Sequence, residues 1–155
     1  MTTSTLLSKD QGVTDLWWPY GPAVGRYTIK SEGDHVQMLI RESRGAATPL
    51  HVHHETDETF YVIAGELTVV VGDERIEAKA GDFVLGPRGV PHAWVVTSEY
   101  VELFVTADEG LHGFFKEVAV PVGGEKPEPT MPDNAHFAER MMAHGIELLG
   151  PPPTA

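Results

Sequence analysis

The chain has no cysteine. That excludes a disulfide framework, a thiol nucleophile and thiolate ligation of a metal. Long hydrophobic runs are also missing: nothing approaches the roughly 18 apolar residues that a membrane helix needs. Basic residues are scarce. Eleven Lys and Arg stand against 23 Asp and Glu, for a formal net charge of -12. This balance argues against nucleic acid and against anionic membrane surfaces as partners. The opening MTTSTLLSKDQGVTD has no basic segment followed by an apolar core. The expectation is therefore no signal peptide and a cytoplasmic protein. No internal repeat or low-complexity segment is present, and residues 23–107 carry no helical periodicity. At 155 residues the chain is expected to be one domain with a real core.

What is present is a pair of answering stretches. The first, GAATPLHVHHETDETFYVIAG, runs from Gly45 to Gly65, and the second, GDFVLGPRGVPH, from Gly81 to His92. In an extended strand side chains alternate between faces, so His51 and His53 can point the same way. Glu58 follows a short turn and leads the face that also holds Phe60 and Val62. A lone carboxylate on an apolar face is costly, and a cation shared with imidazoles would offset that cost. VPHAWVV places His92, Trp94 and Val96 on one face and supplies a third imidazole. Three imidazoles and a carboxylate suit a divalent first-row transition metal. An octahedral ion held by four protein ligands keeps about two positions for water, substrate or oxygen, which is a reactive site.

AVGRYTIK (23–30) and HVQMLIRE (35–42) read as strands joined by the turn SEGD. Val36, Met38 and Ile40 form one face of the second, with Met38 either in the core or against a ligand. ETFYVIAG, ELTVVVG, RIEAKA, the two halves of FVLGPRGVPHAWVV and EYVELFVTA follow as further short strands. Strands at this spacing indicate an all-β fold, a small antiparallel β-barrel or double-sheet jelly roll. GLHGFFKEVAVP (110–121) reads as a short helix or turn, and VGGEKPEPTMPDN (122–134) as a connector. DNAHFAERMMAHGIELLGPPP reads as a helix, with Asp133 or Asn134 as N-cap and Gly145 near its end. Phe137, Met141 and His144 give it one face, which covers a barrel mouth or closes over the site. Trp17 and Trp18 are expected to face opposite ways.

Gly45, His51, His53, Glu58 and Gly65, followed by Gly81, Pro87, Gly89 and His92, resemble the two motifs of the cupin superfamily. The second motif often ends in Asn four residues after its histidine; here Val96 stands there. The resemblance implies a double-stranded β-helix with a short C-terminal helical segment. It divides the chain into a flexible N-terminal arm at 1–15, a cupin β-barrel at 16–120, and a connector with C-terminal helix and tail at 121–155. One divalent metal (Fe, Mn, Ni or Co, with Zn possible as isolated) would be held by His51, His53, Glu58 and His92.

The interior positions expected near the metal are apolar: Phe60, Val62, Phe83, Leu85, Trp94 and Val96. An anionic substrate would want fixed cations, and Arg88 is expected on a turn facing solvent. An apolar, aromatic small molecule that chelates the metal fits better, with Met38, Phe60, Trp94 and Val96 as candidate contacts. LWWPYG, PRGVPHAW, GFFKEVAVP and HGIELLGPPP extend the resemblance to single-domain, quercetin 2,3-dioxygenase-like cupins. That resemblance implies cleavage of a flavonol by O2 with release of CO. Glu58 would act as catalytic base on the substrate hydroxyl. The alternatives are an O2-independent isomerase or cyclase acting on an aromatic or polyketide-like molecule, and a non-catalytic metal or small-ligand binder. Glu55, Asp57 and His54 are expected in a solvated turn, and His35, His112, His136 and His144 as structural or surface groups. By analogy with small cupins, a homodimer is expected through an exposed barrel edge and the aromatic segment at 16–20.

Overall fold

Alternating side chains and glycine turns fold this chain into two facing sheets. The computed structural model describes residues 5–155. Its strands before the first helix are β1 (Thr14–Trp18), β2 (Gly25–Ser31), β3 (Val36–Ser43), β4 (Leu50–His53), β5 (Glu58–Ala64), β6 (Glu66–Val71), β7 (Glu74–Lys79), β8 (Phe83–Gly86), β9 (His92–Val96) and β10 (Tyr100–Ala107). Then come α1 (Glu109–Val118), β11 (Val120–Pro121), α2 (Asn134–Ala143) and β12 (Ile146–Gly150). One sheet has the order β11-β1-β2-β3-β10-β5-β8, the other β12-β4-β9-β6-β7. All these strand pairs are antiparallel. The fold is all-β, a two-sheet jelly roll with two short helices among the described residues.

The register assigns the inner faces. In the larger sheet Tyr27 lies opposite Ile40, Ile40 opposite Leu103, Leu103 opposite Val62, and Phe60 opposite Val84. In the smaller sheet His51 lies opposite His92, Trp94 opposite Val69, and Val96 opposite Leu67. Apolar residues from both inner faces join one core. Gly65 is where the chain leaves the larger sheet for the smaller. Its φ is +83°, in the left-handed region, and a Cβ there would run into the Tyr100 carbonyl.

The structure departs from the sequence reading in three places. Residues 1–4 of the arm lie outside the described residues, but Thr14 and Asp15 already belong to β1. Upstream of them, the Val13 N–H donates to the Ile29 carbonyl at 2.8 Å. At the other end the helix stops early. Asp133 caps it, accepting from the Ala135 and His136 N–H groups, and Gly145 at φ +78° turns the chain out. IELLG is then the strand β12, paired with β4, rather than more helix. Finally, Phe83 and Leu85 point outward and are exposed, while Val84 and Gly86 face the interior. A Cβ at Gly86 would come within 3.3 Å of the His92 ring, a tight contact.

Trp17 and Trp18 do face opposite ways. Trp18 stacks on Tyr27 with centroids 5.2 Å apart and meets Phe115 and Phe137 edge-on or tilted. On the outer side Trp17 lies under the Arg26 and Lys126 cations. Met141 of α2 is buried in the core, and Phe137 packs on Tyr20 and Phe114, so this helix face covers the aromatic end of the larger sheet.

Candidate metal centre

His51 and His53 reach the interior from β4, His92 from β9 and Glu58 from the first position of β5. The first three belong to one sheet and Glu58 to the other, so the cluster bridges the two. All four are at least 95% buried. Their nearest ligand-type atoms lie within 4.8 Å of one another. The three imidazoles turn Nε2 toward one atom, Glu58 Oε2: His92 at 2.7 Å, His53 at 3.1 Å and His51 at 3.8 Å. Donors about 2.1 Å from a common ion sit about 3 to 4 Å apart; the His53 and His51 contacts have that spacing, while His92 lies at hydrogen-bond distance.

The opposite ring nitrogens are anchored as a metal site requires. The His51 Nδ1 lies 2.8 Å from the Pro49 carbonyl and the His92 Nδ1 lies 3.2 Å from the Val90 carbonyl. A carbonyl can only accept, so each Nδ1 carries a proton, which leaves Nε2 as the nitrogen that can face an ion. The His53 Nδ1 faces Asp108 Oδ2 at 3.6 Å, and neither of its ring nitrogens makes an aligned hydrogen bond. A buried imidazole left so, aimed with two others at a carboxylate, fits a divalent cation.

The charges of the cluster are coupled. Burial alone would raise the Glu58 carboxyl, but its close contacts with the His51, His53 and His92 rings and the charge of His53 hold it well below the usual carboxylate range. Burial would lower His53; contacts with Asp108 and Glu58 outweigh it and push it up to about 9. Burial prevails at His51 and lowers it. Asp108, which burial would raise, is held low by His53 and by the Leu111 N–H. Without a cation, His53 therefore holds a proton through the neutral range.

The surrounding turns tie the two motifs together. Asp57 Oδ1 accepts the Arg88 backbone N–H at 2.9 Å and the Arg88 Nε at 3.1 Å. The Gly89 N–H donates to the His53 carbonyl at 2.7 Å. Asp57 thus pins the turn before β5 to the turn before β9. Arg88 remains mostly exposed, as expected of that turn. His54 is exposed and pairs with Glu147 at 2.9 Å; Glu55, His35 and His136 are also exposed. His112 is buried beside Glu32, and His144 pairs with Glu117.

Met38, Phe60, Trp94 and Val96 are all packed in the hydrophobic core. The Phe60 ring is 6.1 Å from that of His92. Two groups escaped the sequence reading, one on the same inner face and one at its end. Glu42 is 3% exposed, and its carboxyl accepts from the Tyr27 hydroxyl at 3.0 Å. It lies so close to Gly25 that any side chain there would collide with it. Burial pushes it up to about 8 against the hydrogen bonds from Tyr27 and Ser43. The interior is therefore less uniformly apolar than expected. The signal was present: Val36, Met38, Ile40 and Glu42 fall every second residue along β3. The second missed group is Asp108, for which the local sequence offers only a helix-capping pattern.

Comparison with known proteins agrees with this architecture. Residues 38–106 match the cupin domain family, a stretch that holds all four clustered residues. Over 75 residues, 48% of this chain, the sequence is 35% identical to quercetin 2,3-dioxygenase of Bacillus subtilis strain 168. Over 48 residues, 31% of this chain, it is 33% identical to an uncharacterized protein of Methanocaldococcus jannaschii. These matches span 22% and 38% of the lengths of the two relatives. Among solved structures, a predicted oxalate decarboxylase from Thermotoga maritima superposes with a TM-score of 0.57 at 16% identity, covering 66% of this chain and 96% of the other. KdgF from Halomonas sp. gives 0.55 at 20% identity, covering 69% and 94%. At those identities the likeness is one of fold. Motif spacing, two-sheet architecture and the matched stretch converge on one description: residues 38–106 match the cupin domain family, within a jelly roll of the cupin kind.

Proposed function

We propose that this chain is a metal-dependent dioxygenase of an apolar aromatic or enolic small molecule, with a flavonol as the first candidate. The observation that carries the reading is the convergence of three Nε2 atoms on a buried carboxylate, in a stretch 35% identical to a quercetin 2,3-dioxygenase. His51, His53, Glu58 and His92 would hold one divalent ion of Fe, Mn, Ni or Co. When bound, such an ion lowers the pKa of a coordinated hydroxyl and brings it to O2.

The chain's own residues do the rest. Glu58, ionised and shielded from solvent, accepts the substrate hydroxyl proton and serves as general base. Phe60 walls the site beside His92, and Met38, Trp94 and Val96 supply apolar contact to the aromatic ligand. A dry interior keeps water from the electron-rich substrate. The net reaction needs no outside reductant: both atoms of O2 are taken up, and one carbon leaves with one oxygen as CO.

A second reading has its own support. The Tyr27–Glu42 pair puts a buried carboxylic acid and a phenol on the same inner face as Glu58. Such a pair suits proton shuffling in an isomerase or cyclase that uses no O2. Oxygen uptake separates the two. Metal-stripped protein reloaded with Mn, Fe, Ni or Co would consume O2 in the presence of quercetin if the first reading holds, and Glu58→Gln would abolish turnover. Full metal occupancy without uptake would remove the flavonol reading.

Among the described residues no helix is long and apolar enough to cross a membrane; a cytoplasmic location is part of the same proposal. So is a homodimer, though not through residues 16–20, since Trp18 and Tyr20 pack within the chain's own aromatic cluster. The edge strand β8, with Phe83 and Leu85 outward beside Tyr61 and Ile63 of β5, is the better contact for a second copy. Light scattering of Phe83→Asp against the native protein tests it.

A further inference from the structure

The three imidazoles are not held alike. His51 and His92 each turn Nδ1 to a carbonyl two residues back in their own segment. These anchors come with the local backbone, whatever the rest of the chain does. His53 has no such carbonyl. Its Nδ1 faces Asp108 Oδ2, from the junction of β10 and α1. The other oxygen of that carboxylate, Oδ1, accepts the Leu111 N–H at 2.9 Å and caps α1. The junction is itself tightly packed. A side chain at Gly110 would collide with the His144 carbonyl, and one at Gly113 with the His144 ring. The first turn of α1 therefore rests on the end of α2, and Asp108 has little room to move.

Resting on the metal-centre reading, we propose that Asp108 is a positioning residue for the metal: it fixes the tautomer and direction of His53 with one oxygen while capping α1 with the other. His53 can offer Nε2 to a cation only if the proton stays on Nδ1, and among the contacts of its ring Asp108 is the acceptor on that side. The carboxylate lies two residues beyond the matched cupin domain. It is a feature of how this chain continues after its barrel. By the same link, ion binding and the start of α1 become coupled.

Capping alone is the competing role, and asparagine separates the two. Asn caps helices as well as Asp, but it brings no charge to His53, and its NH2 group can favour the tautomer that protonates Nε2. The test compares Asp108→Asn with the native chain and with Asp133→Asn. Asp133 caps α2 in the same manner, through the Ala135 and His136 N–H groups. Each purified, metal-stripped protein is titrated with Co2+ against a competing chelator at fixed pH, and the visible spectrum of the bound cobalt is recorded. Urea unfolding of the metal-free forms runs alongside. The expected result is about a 10- to 100-fold weaker Co2+ affinity and an altered cobalt spectrum for Asp108→Asn. Asp133→Asn, which touches only a cap, should keep native affinity, and Asp108→Asn should remain folded without metal, losing only the stability of its contact with the charged His53. Affinity within twofold of native would overturn the proposal while leaving the metal centre intact. A native chain that takes up no Co2+ would overturn the metal centre, and this role with it. If Asp108→Asn does not fold, Asp108→Ser, which keeps a cap, carries the same readout.

Discussion

Glu42 gives the sharpest energetic prediction. Its carboxyl is buried in the core face of β3, with the Tyr27 hydroxyl donating to it and Gly25 against it. In the unfolded chain it ionises near 4.5, but in the fold only at about 8. A group whose folded pKa is raised contributes stability that is complete below its unfolded value and is lost as pH rises through the folded one. The window is therefore pH 4.5 to 8. At about 1.4 kcal/mol per pH unit, the gap between 4.5 and about 8 comes to about 5 kcal/mol, roughly 3 of it gone by pH 7. Glu42→Gln keeps the shape and the acceptor for Tyr27 but cannot ionise. Its buried NH2 group costs about 1–3 kcal/mol if it finds no partner. The variant should therefore be the less stable protein at pH 5 and the more stable one at pH 8. Urea unfolding of metal-free protein at pH 5, 6, 7 and 8 measures this. The difference between variant and native cancels every other titrating group, and it should climb by about 1.4 kcal/mol per pH unit. A difference flat to within about 0.5 kcal/mol over that range would refute the reasoning, since mutations elsewhere on the surface already scatter by that much.

Three further outcomes follow from the geometry. In the metal-free protein His53 carries a proton up to about pH 9, and an ion cannot share that nitrogen. Co2+ uptake at pH 7 should release about one proton into weakly buffered indicator dye, and the release should vanish above pH 9. Gly65→Ala places a Cβ against the Tyr100 carbonyl at a positive φ. It should cost more than about 2 kcal/mol in chemical unfolding, well beyond the usual cost of a surface substitution. Ile146→Ala removes a fully buried side chain opposite His53. A loss of about 2–5 kcal/mol is expected, with weaker Co2+ binding where a distant core cavity would leave affinity alone.

The cluster of His51, His53, Glu58 and His92 was legible in the sequence because its information is local. Two strands with a period of two, a turn between them and a third histidine after PRGVP are enough to aim four side chains inward. The capping residue of α2 was legible for the same reason: Asp133 acts on N–H groups two and three positions away. What was misread depends on contacts distant in sequence or on a choice between two faces. Phe137, Met141 and His144 fall at helical spacing and Gly145 marks the end, but nothing local says what IELLG becomes. It is β4, far back in the chain, that claims Ile146–Gly150 as a strand. For FVLG, alternation allows either face inward and hydrophobicity favours Phe83 and Leu85. In the fold it is Gly86, tight against His92, and Val84 that face inward. Asp108 meets His53 only because a strand–helix junction and a two-sheet fold bring them together.

The pairing of β4 with β12 also sets an order of events during synthesis. A growing chain emerges from its N-terminus, so His51, His53, Glu58 and His92 leave the ribosome well before Ile146 and before Asp108. In that interval β4 has β9 on one side and an open edge on the other, where Ile146 and Leu148 will later lie. Such an edge invites pairing with a stray strand. A cation arriving early would meet imidazoles that lack both the outer wall of β4 and the carboxylate behind His53. The last strand is thus the step that finishes the cage, and a nascent chain stalled short of it would hold its ligands half-shaped and its most histidine-rich strand exposed to its neighbours.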